Sequence, residues 1–281
     1  MISPKTRILD YLERRVGWKI HRQETVSLLG KSYRLIRGTV RQKADYDDAW
    51  LLALAREAHI VFDVGSNIGQ SAVLLFHSGP IEQMILIDPN PSALSQAAEN
   101  LILNGWSDKA RFICAFASDQ SNETKEFFTV GTGAAGSMYA ANAATASALG
   151  ASFTVSTVTV DELVERHQIV PDLVKIDVEG AETLVLQGAR NLAQKQVTRF
   201  FVEMHSVPGV TMSENARQVL DWCNQYSYNA WYLKEKTQLI EPAQIATRGR
   251  CHLLLLPAHF LFPSYLCTLA QSDPLEKVHI S

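Results

Sequence analysis

Cysteine is scarce and scattered in this chain of 281 residues: Cys114, Cys223, Cys251 and Cys267 form no CxxC pair. That spacing excludes a zinc ribbon and a disulfide framework, and it fits a reducing cytoplasm. An excess of charge of one sign is missing too. Twenty-six Lys and Arg against 29 Asp and Glu leave a formal net charge of −3, so no general field draws the chain to nucleic acid or anionic lipid. Long apolar runs are also absent. The greasiest stretch, CHLLLLPAHFLF at 251–262, is interrupted by Pro257 and His259 and is too short to span a bilayer. The opening MISPKTRILDYLERRVGW mixes charges among its apolar residues and lacks the continuous core of a signal peptide. The expectation is a soluble cytoplasmic protein with no transmembrane segment and no nucleic-acid partner.

What is present is a core-building sequence. With 47% apolar and 20% charged residues the chain is not globally disordered and can bury one large core. Apolar runs at 59–64, 83–88, 110–115, 172–177, 198–204, 229–234 and 252–257 read as strands, with helical patterns at 45–58, 70–78, 91–103, 180–194 and 213–226 between them. The alternation predicts an α/β fold, a seven-stranded and mostly parallel sheet flanked by helices. Residues 1–44, a helix plus a short extended piece, form an N-terminal extension or cap open to use as a homodimer contact. The main domain runs over 45–262, and 263–281 is a tail. A stretch of almost only Gly, Ala, Ser and Thr at 131–152 reads as a mobile loop, used as an active-site lid or disordered. Its flanks, 126–130 and 152–160, are suited to pair as a hairpin at the sheet edge.

The most informative segment is VFDVGSNIGQS at 61–71, where an apolar strand ends in Asp63 and a Gly-x-x-x-Gly turn opens a helix. Gly65 and Gly69 permit the turn and allow a ligand close to the backbone, and the helix start offers unpaired N–H groups. A dinucleotide fold would need G-x-G-x-x-G, but Asn67 stands at the second glycine; a phosphate loop would need Lys after Gly69. An acidic residue near the loop instead suits the ammonium of an amino-acid moiety, as in S-adenosylmethionine. The second strand ends in LIDPNP, with Asp88 placed to accept ribose hydroxyls. Phe116 and Ala117 are expected against the adenine, with Asp119 at its amino group. Ser66, Asn67, Gln70 and Asn90 complete the expected cofactor set.

These residues resemble the FkbM family of S-adenosylmethionine-dependent methyltransferases. The landmarks are VFDVGSNIGQ (61–70), IDPNP (87–91), AENLILNG (98–105), TVDEL (159–163), LVKIDVEGAETLVLQGA (173–189) and FFVEMH (200–205). The resemblance implies a class I methyltransferase fold (Rossmann-like) and O-methylation of a hydroxyl on a sugar, glycan or natural-product small molecule. The family more often carries Glu where this chain has Asp88, a shortening by one methylene.

The ends of the fourth and fifth strands carry Asp177, Glu179 and Glu182, then Glu203 and His205. Adjacent strands would set Asp177, Glu179, Glu203 and His205 along one cleft wall as the expected catalytic group. His205, or a carboxylate raised by its neighbours, would act as general base; alternatively Asp177, Glu203 and His205 would hold a divalent cation such as magnesium. Glu179 and Glu182 also suit a helix N-terminus, and Lys175 has no expected role. Two other classes stay open: a nicotinamide-dependent oxidoreductase, and a non-catalytic module that binds S-adenosylmethionine.

Overall fold

The computed structural model describes residues 22–39, 44–128, 152–207 and 209–279. The expected helix ahead of residue 22, and the Gly/Ala-rich loop up to residue 151, lie outside the described residues. The strands are β1 (Gln23–Leu28), β2 (Lys31–Ile36), β3 (Ile60–Val64), β4 (Gln83–Ile87), β5 (Ala110–Ile113), β6 (Phe116–Ala117), β7 (Thr124–Phe128), β8 (Ser152–Val158), β9 (Leu173–Ile176), β10 (Arg199–His205), β11 (Tyr228–Tyr232), β12 (Thr237–Gln238) and β13 (Arg250–Pro257). The helices are α1 (Asp48–Ala55), α2 (Gln70–Ser78), α3 (Pro91–Leu103), α4 (Val160–His167), α5 (Glu182–Gln187), α6 (Arg190–Gln194) and α7 (Met212–Tyr226).

The main sheet runs β12-β11-β13-β10-β9-β3-β4-β5. Its pairs from β10 to β5 are parallel, whereas β13 runs antiparallel to both β10 and β11. The central strands are apolar on both faces because successive side chains alternate between two helical layers. Phe62, Val174 and Phe200 pack on one side with Leu163, Val185 and Trp222 of α4, α5 and α7. Val61, Leu173 and Phe201 pack on the other with Trp50, Leu75 and Ala97 of α1, α2 and α3. Leu266, Leu269 and Val278, from the segment beyond β13, are buried in this second layer.

All seven expected strands form, joined by β12 as an eighth. Three other expectations are corrected. The flanks of the Gly/Ala-rich loop do pair, β7 with β8, but in a separate three-stranded sheet with β6 and not at the edge of the main one. The helix expected over 180–194 is two helices interrupted at Gly188, where a β-carbon would fall 2.1 Å from the Ser118 carbonyl oxygen. The N-terminal segment contributes a full hairpin, β1–β2, turning through Leu29 and Gly30, both at positive φ. Asn100 of α3 ties this hairpin down: its side chain accepts from Ile36 N–H (2.8 Å) and donates to Thr39 Oγ1 (3.0 Å) and the Ile68 carbonyl (3.2 Å). No helix among the described residues is long and apolar enough to cross a membrane.

Candidate active site

The order of connection reverses between β3 and β9, so a crevice opens at the carboxyl ends of these neighbouring strands. Two clefts meet there. The first is lined by Asp88, Asn90, Phe116 and Ala117, with Phe127 contributed by β7. The second is lined by Ser66 and Gln70, by Asp47 and Asp48 at the start of α1, and by Lys175, Glu203 and Arg250. Gly65, Asn67, Asp177 and Glu179 line both and form the wall between them.

The glycine loop is shaped by its own protein before any ligand. Gly65 has φ +77°, and a β-carbon there would sit 1.8 Å from the Asp177 carbonyl oxygen. Gly69 has φ +82°, and its β-carbon would meet Ala97 of α3 at 2.8 Å. Both glycines are therefore required by packing of the loop onto β9 and α3, a reason other than the ligand approach expected from sequence. The loop backbone hangs from β4: Gly65 and Ser66 N–H groups donate to the Ile87 carbonyl at 2.8 and 3.2 Å.

Asp88 is 7% exposed. Its Oδ2 accepts from Asn67 N–H and its Oδ1 from Asn90 N–H, each at 2.8 Å. Burial pushes its pKa up to about 6 against the opposing pull of those two N–H groups. Two lone pairs of the carboxylate stay available to further donors. Asn90 also accepts from Ser92 and Ala93 N–H and so caps α3. Nearby, Ser66 Oγ and Asn67 Oδ1 are buried with no hydrogen-bond partner among the described residues. Buried polar atoms are rarely left so, and a ligand rich in donors and acceptors fits this end of the cleft, while Phe116, Ala117 and Phe127 offer an apolar slab for a flat base.

Three expected cofactor residues line neither cleft. Gly69 packs on α3. Asp119 accepts from Ser118 Oγ at 3.0 Å. Asp63 is fully buried beneath the loop, accepting from Ser71 Oγ at 2.6 Å, and the ammonium beside it is the chain's own. Lys175 Nζ lies 3.4 Å from both Asp63 Oδ1 and Asp177 Oδ2 and donates to the Gly65 carbonyl at 3.1 Å. Burial works against the Lys175 charge, but Asp63 and Asp177 outweigh it and raise its pKa. Sequence reasoning gave Lys175 no role; an ionisable residue inside the apolar run DLVKID was the available signal.

The structure brings Asp177, Glu179, Glu203 and His205 together. His205 Nδ1 is 2.8 Å from Oε1 of Glu182, a fully buried carboxylate that also accepts from Gly180 N–H. Its Nε2 faces Glu179 and Glu203 oxygens, each at 3.7 Å. Burial disfavours the imidazolium, yet the Glu182 contact and the charges of Glu182, Glu179 and Asp177 prevail and hold the His205 pKa up at about 9. His205 lines neither cleft; of its two neighbours at 3.7 Å, Glu179, held at φ +51°, lines both clefts and Glu203 the second. Burial raises the Glu179 pKa, partly offset by His205. Glu203 pairs with Arg250 at 2.9 Å and lies 3.7 Å from His252; its interactions with His252, His205 and Arg250 outweigh burial and keep its carboxyl below the usual range. Sequence reasoning missed Asp47, Arg250 and His252, which reach the site from outside the motifs, and saw Glu182 without its histidine.

The sequence profile of the methyltransferase FkbM domain matches residues 63–230. A hexuronic acid methyltransferase, AglP of Haloferax volcanii, is 32% identical over 165 residues, which span 56% of this chain and 60% of that protein, less than two thirds of its length. Among solved structures, similarity extends to methyltransferase FkbM from Methylobacillus flagellatus KT, at 14% identity and TM-score 0.45 over 70% of this chain and 43% of that one. It extends also to TYW2 of M. jannaschii in complex with AdoMet, at 10% identity and TM-score 0.41 over 85% and 86%.

Proposed function

Because the chain belongs to the methyltransferase FkbM domain family, we propose that it is an S-adenosylmethionine-dependent O-methyltransferase acting on a hydroxyl of a sugar or glycan. The observation that carries this reading is the shared wall: Asp177 and Glu179 line both the cleft of Asp88 and the acidic cleft beside it. S-adenosylmethionine supplies an electrophilic methyl group on a sulfonium. Asp88 would accept the ribose hydroxyls, Phe116, Ala117 and Phe127 would flank the adenine, and Asn67, with Ser66 on the side of the second cleft, would bond the amino-acid end where the two clefts meet. The similarity to a hexuronic acid methyltransferase supports a sugar acceptor.

The acceptor lies in the second cleft in this reading, oriented by Asp47 and Arg250. Displacement at a methyl group asks for alignment and for removal of one proton. Asp177 and Glu179 are the carboxylates that touch both clefts; Asp177 is matched by Lys175, so Glu179 takes the acceptor's hydroxyl proton, and His205, oriented by Glu182, stands 3.7 Å behind it. The donor atoms of Asp177, Glu203 and His205 lie within 4.8 Å of one another, and a cation held on them would acidify the hydroxyl instead. Indifference of turnover to chelation selects proton transfer to Glu179 without a cation; loss on chelation, restored by magnesium, shows that a cation takes part.

Isothermal titration with S-adenosylmethionine, followed by turnover on a panel of neutral and acidic sugars, tests the whole reading. Binding to the wild type, weakened at least tenfold in Asp88→Ala, is expected. Absence of binding, or binding without turnover on every hydroxylated acceptor, overturns it. Glu179→Gln is expected to lower kcat by about 10²–10⁴ while leaving S-adenosylmethionine affinity within about threefold.

A further inference from the structure

A second histidine stands among acids and takes no part in the reaction described above. His252 of β13 lies in register opposite Glu203 of β10. It is 2% exposed, stacked on Phe201 at 5.7 Å and packed against Trp50 at 5.6 Å, so its ring is fixed in place. Its Nε2 is buried with no hydrogen-bond partner among the described residues. That nitrogen faces Glu203 Oε2 at 3.7 Å and Asp47 Oδ2 at 3.9 Å. Both distances exceed a hydrogen bond.

Asp47 adds a separate oddity. It holds the N-cap position of α1, where an aspartate ordinarily accepts from the free N–H groups of the helix, yet its side chain makes no cap hydrogen bond. Instead Oδ2 is turned toward His252. Glu203 divides its oxygens, with Oε1 on Arg250 at 2.9 Å and Oε2 toward His252. The three donor atoms of Asp47, Glu203 and His252 lie within 4.8 Å of one another. A cation about 2.0–2.2 Å from each donor sets donors roughly 3–4 Å apart, wider than direct contact and close to what is seen. The neighbouring cations do not fill the gap: Lys175 is matched by Asp63 and Asp177, and Arg250 by Oε1 of Glu203.

We propose that Asp47, Glu203 and His252 form a site for a divalent cation of the Zn²⁺ or Mn²⁺ kind. The imidazole nitrogen favours these over Ca²⁺, which takes oxygen ligands almost alone. Asp47 and Glu203 line the second cleft, so an open coordination position would face an acceptor oxygen. That last consequence rests on the methyl-transfer reading; the binding of the cation does not.

The test uses the full chain, stripped with chelator and titrated with Mn²⁺, with free Mn²⁺ read by its electron paramagnetic resonance signal. One Mn²⁺ per chain is expected, bound at least tenfold more tightly than Ca²⁺ in competition. His252→Ala and the near-isosteric Asp47→Asn should each weaken it at least tenfold, whereas His205→Ala should leave it within threefold. Folding of each variant is checked by circular dichroism, and titration with S-adenosylmethionine separately reports whether the cofactor reading holds. Absence of stoichiometric binding overturns the site. So does the reverse pattern, with loss in His205→Ala and retention in both Asp47→Asn and His252→Ala, which would move the cation to Asp177, Glu203 and His205.

Discussion

In the proposed reading, the buried carboxylate of Asp88 would link cofactor binding to pH. Its pKa in the folded chain, about 6, lies above the ordinary 3.8 because burial disfavours the charge. The folded state therefore holds this proton more tightly than the unfolded one, and the associated stability, present below pH 4, is lost as pH rises through 6. The shift corresponds to roughly 3 kcal/mol at most; Asp88→Asn removes that pH dependence but sets its NH2 against one of the two N–H groups, so its melting temperature is expected to vary less between pH 5 and 7.5 than the wild type's, with weakened cofactor binding. Hydroxyl donors favour the ionised carboxylate, so S-adenosylmethionine affinity should be flat above pH 6.5 and fall about tenfold per unit below pH 5.5. Calorimetric titrations at pH 5, 6 and 7.5 check this, and a pH-independent affinity would remove Asp88 from the ribose site. Lys175 shows the opposite balance. Lys175→Met strands the Asp63 carboxylate in a fully buried position and should cost about 3–5 kcal/mol in urea denaturation, whereas joining it to Asp63→Leu should recover most of that loss.

At the scale of elements, the glycine loop is held tightly against β9 and α3. Gly65→Ala drives a methyl group into the Asp177 carbonyl at a backbone angle that favours glycine; a loss of about 2–4 kcal/mol, with loss of cofactor binding, is expected in denaturation and titration. The seven long strands were legible in the sequence because each is an apolar run bounded by turn residues. β12 was not, since two exposed residues, Thr237 and Gln238, leave no pattern. α4 was missed because the strand-like stretch 152–160 runs into its first residue, although Thr159 followed by Glu162 is a helix-start signature, and Thr159 Oγ1 does accept from Glu162 N–H. The clustering of acids at strand ends was readable for Asp88, Asp177 and Glu203. Lys175 stands two residues before Asp177 and was within reach of local spacing, but Arg250 and His252 meet Glu203 through the register of β10 with β13, which no local spacing encodes.

At the scale of the whole molecule, β13, the long reversed strand of the main sheet among the described residues, does something the parallel ones do not. A parallel strand brings its last residues to the active edge; β13, running antiparallel to β10, brings its first, so Arg250 and His252 arrive beside His205 and Glu203. Arg250→Gln is accordingly expected to raise acceptor KM at least tenfold and to leave S-adenosylmethionine affinity within about twofold, as steady-state kinetics and titration would show. Asp47 and Asp48 precede the span 63–230, and Arg250 follows it. In the proposed reading, donor recognition would sit almost wholly on one continuous length of chain, with part of the acceptor wall outside it on either side. Such a layout would let the acceptor change by rewriting the flanks, with the methyl-donor residues left intact.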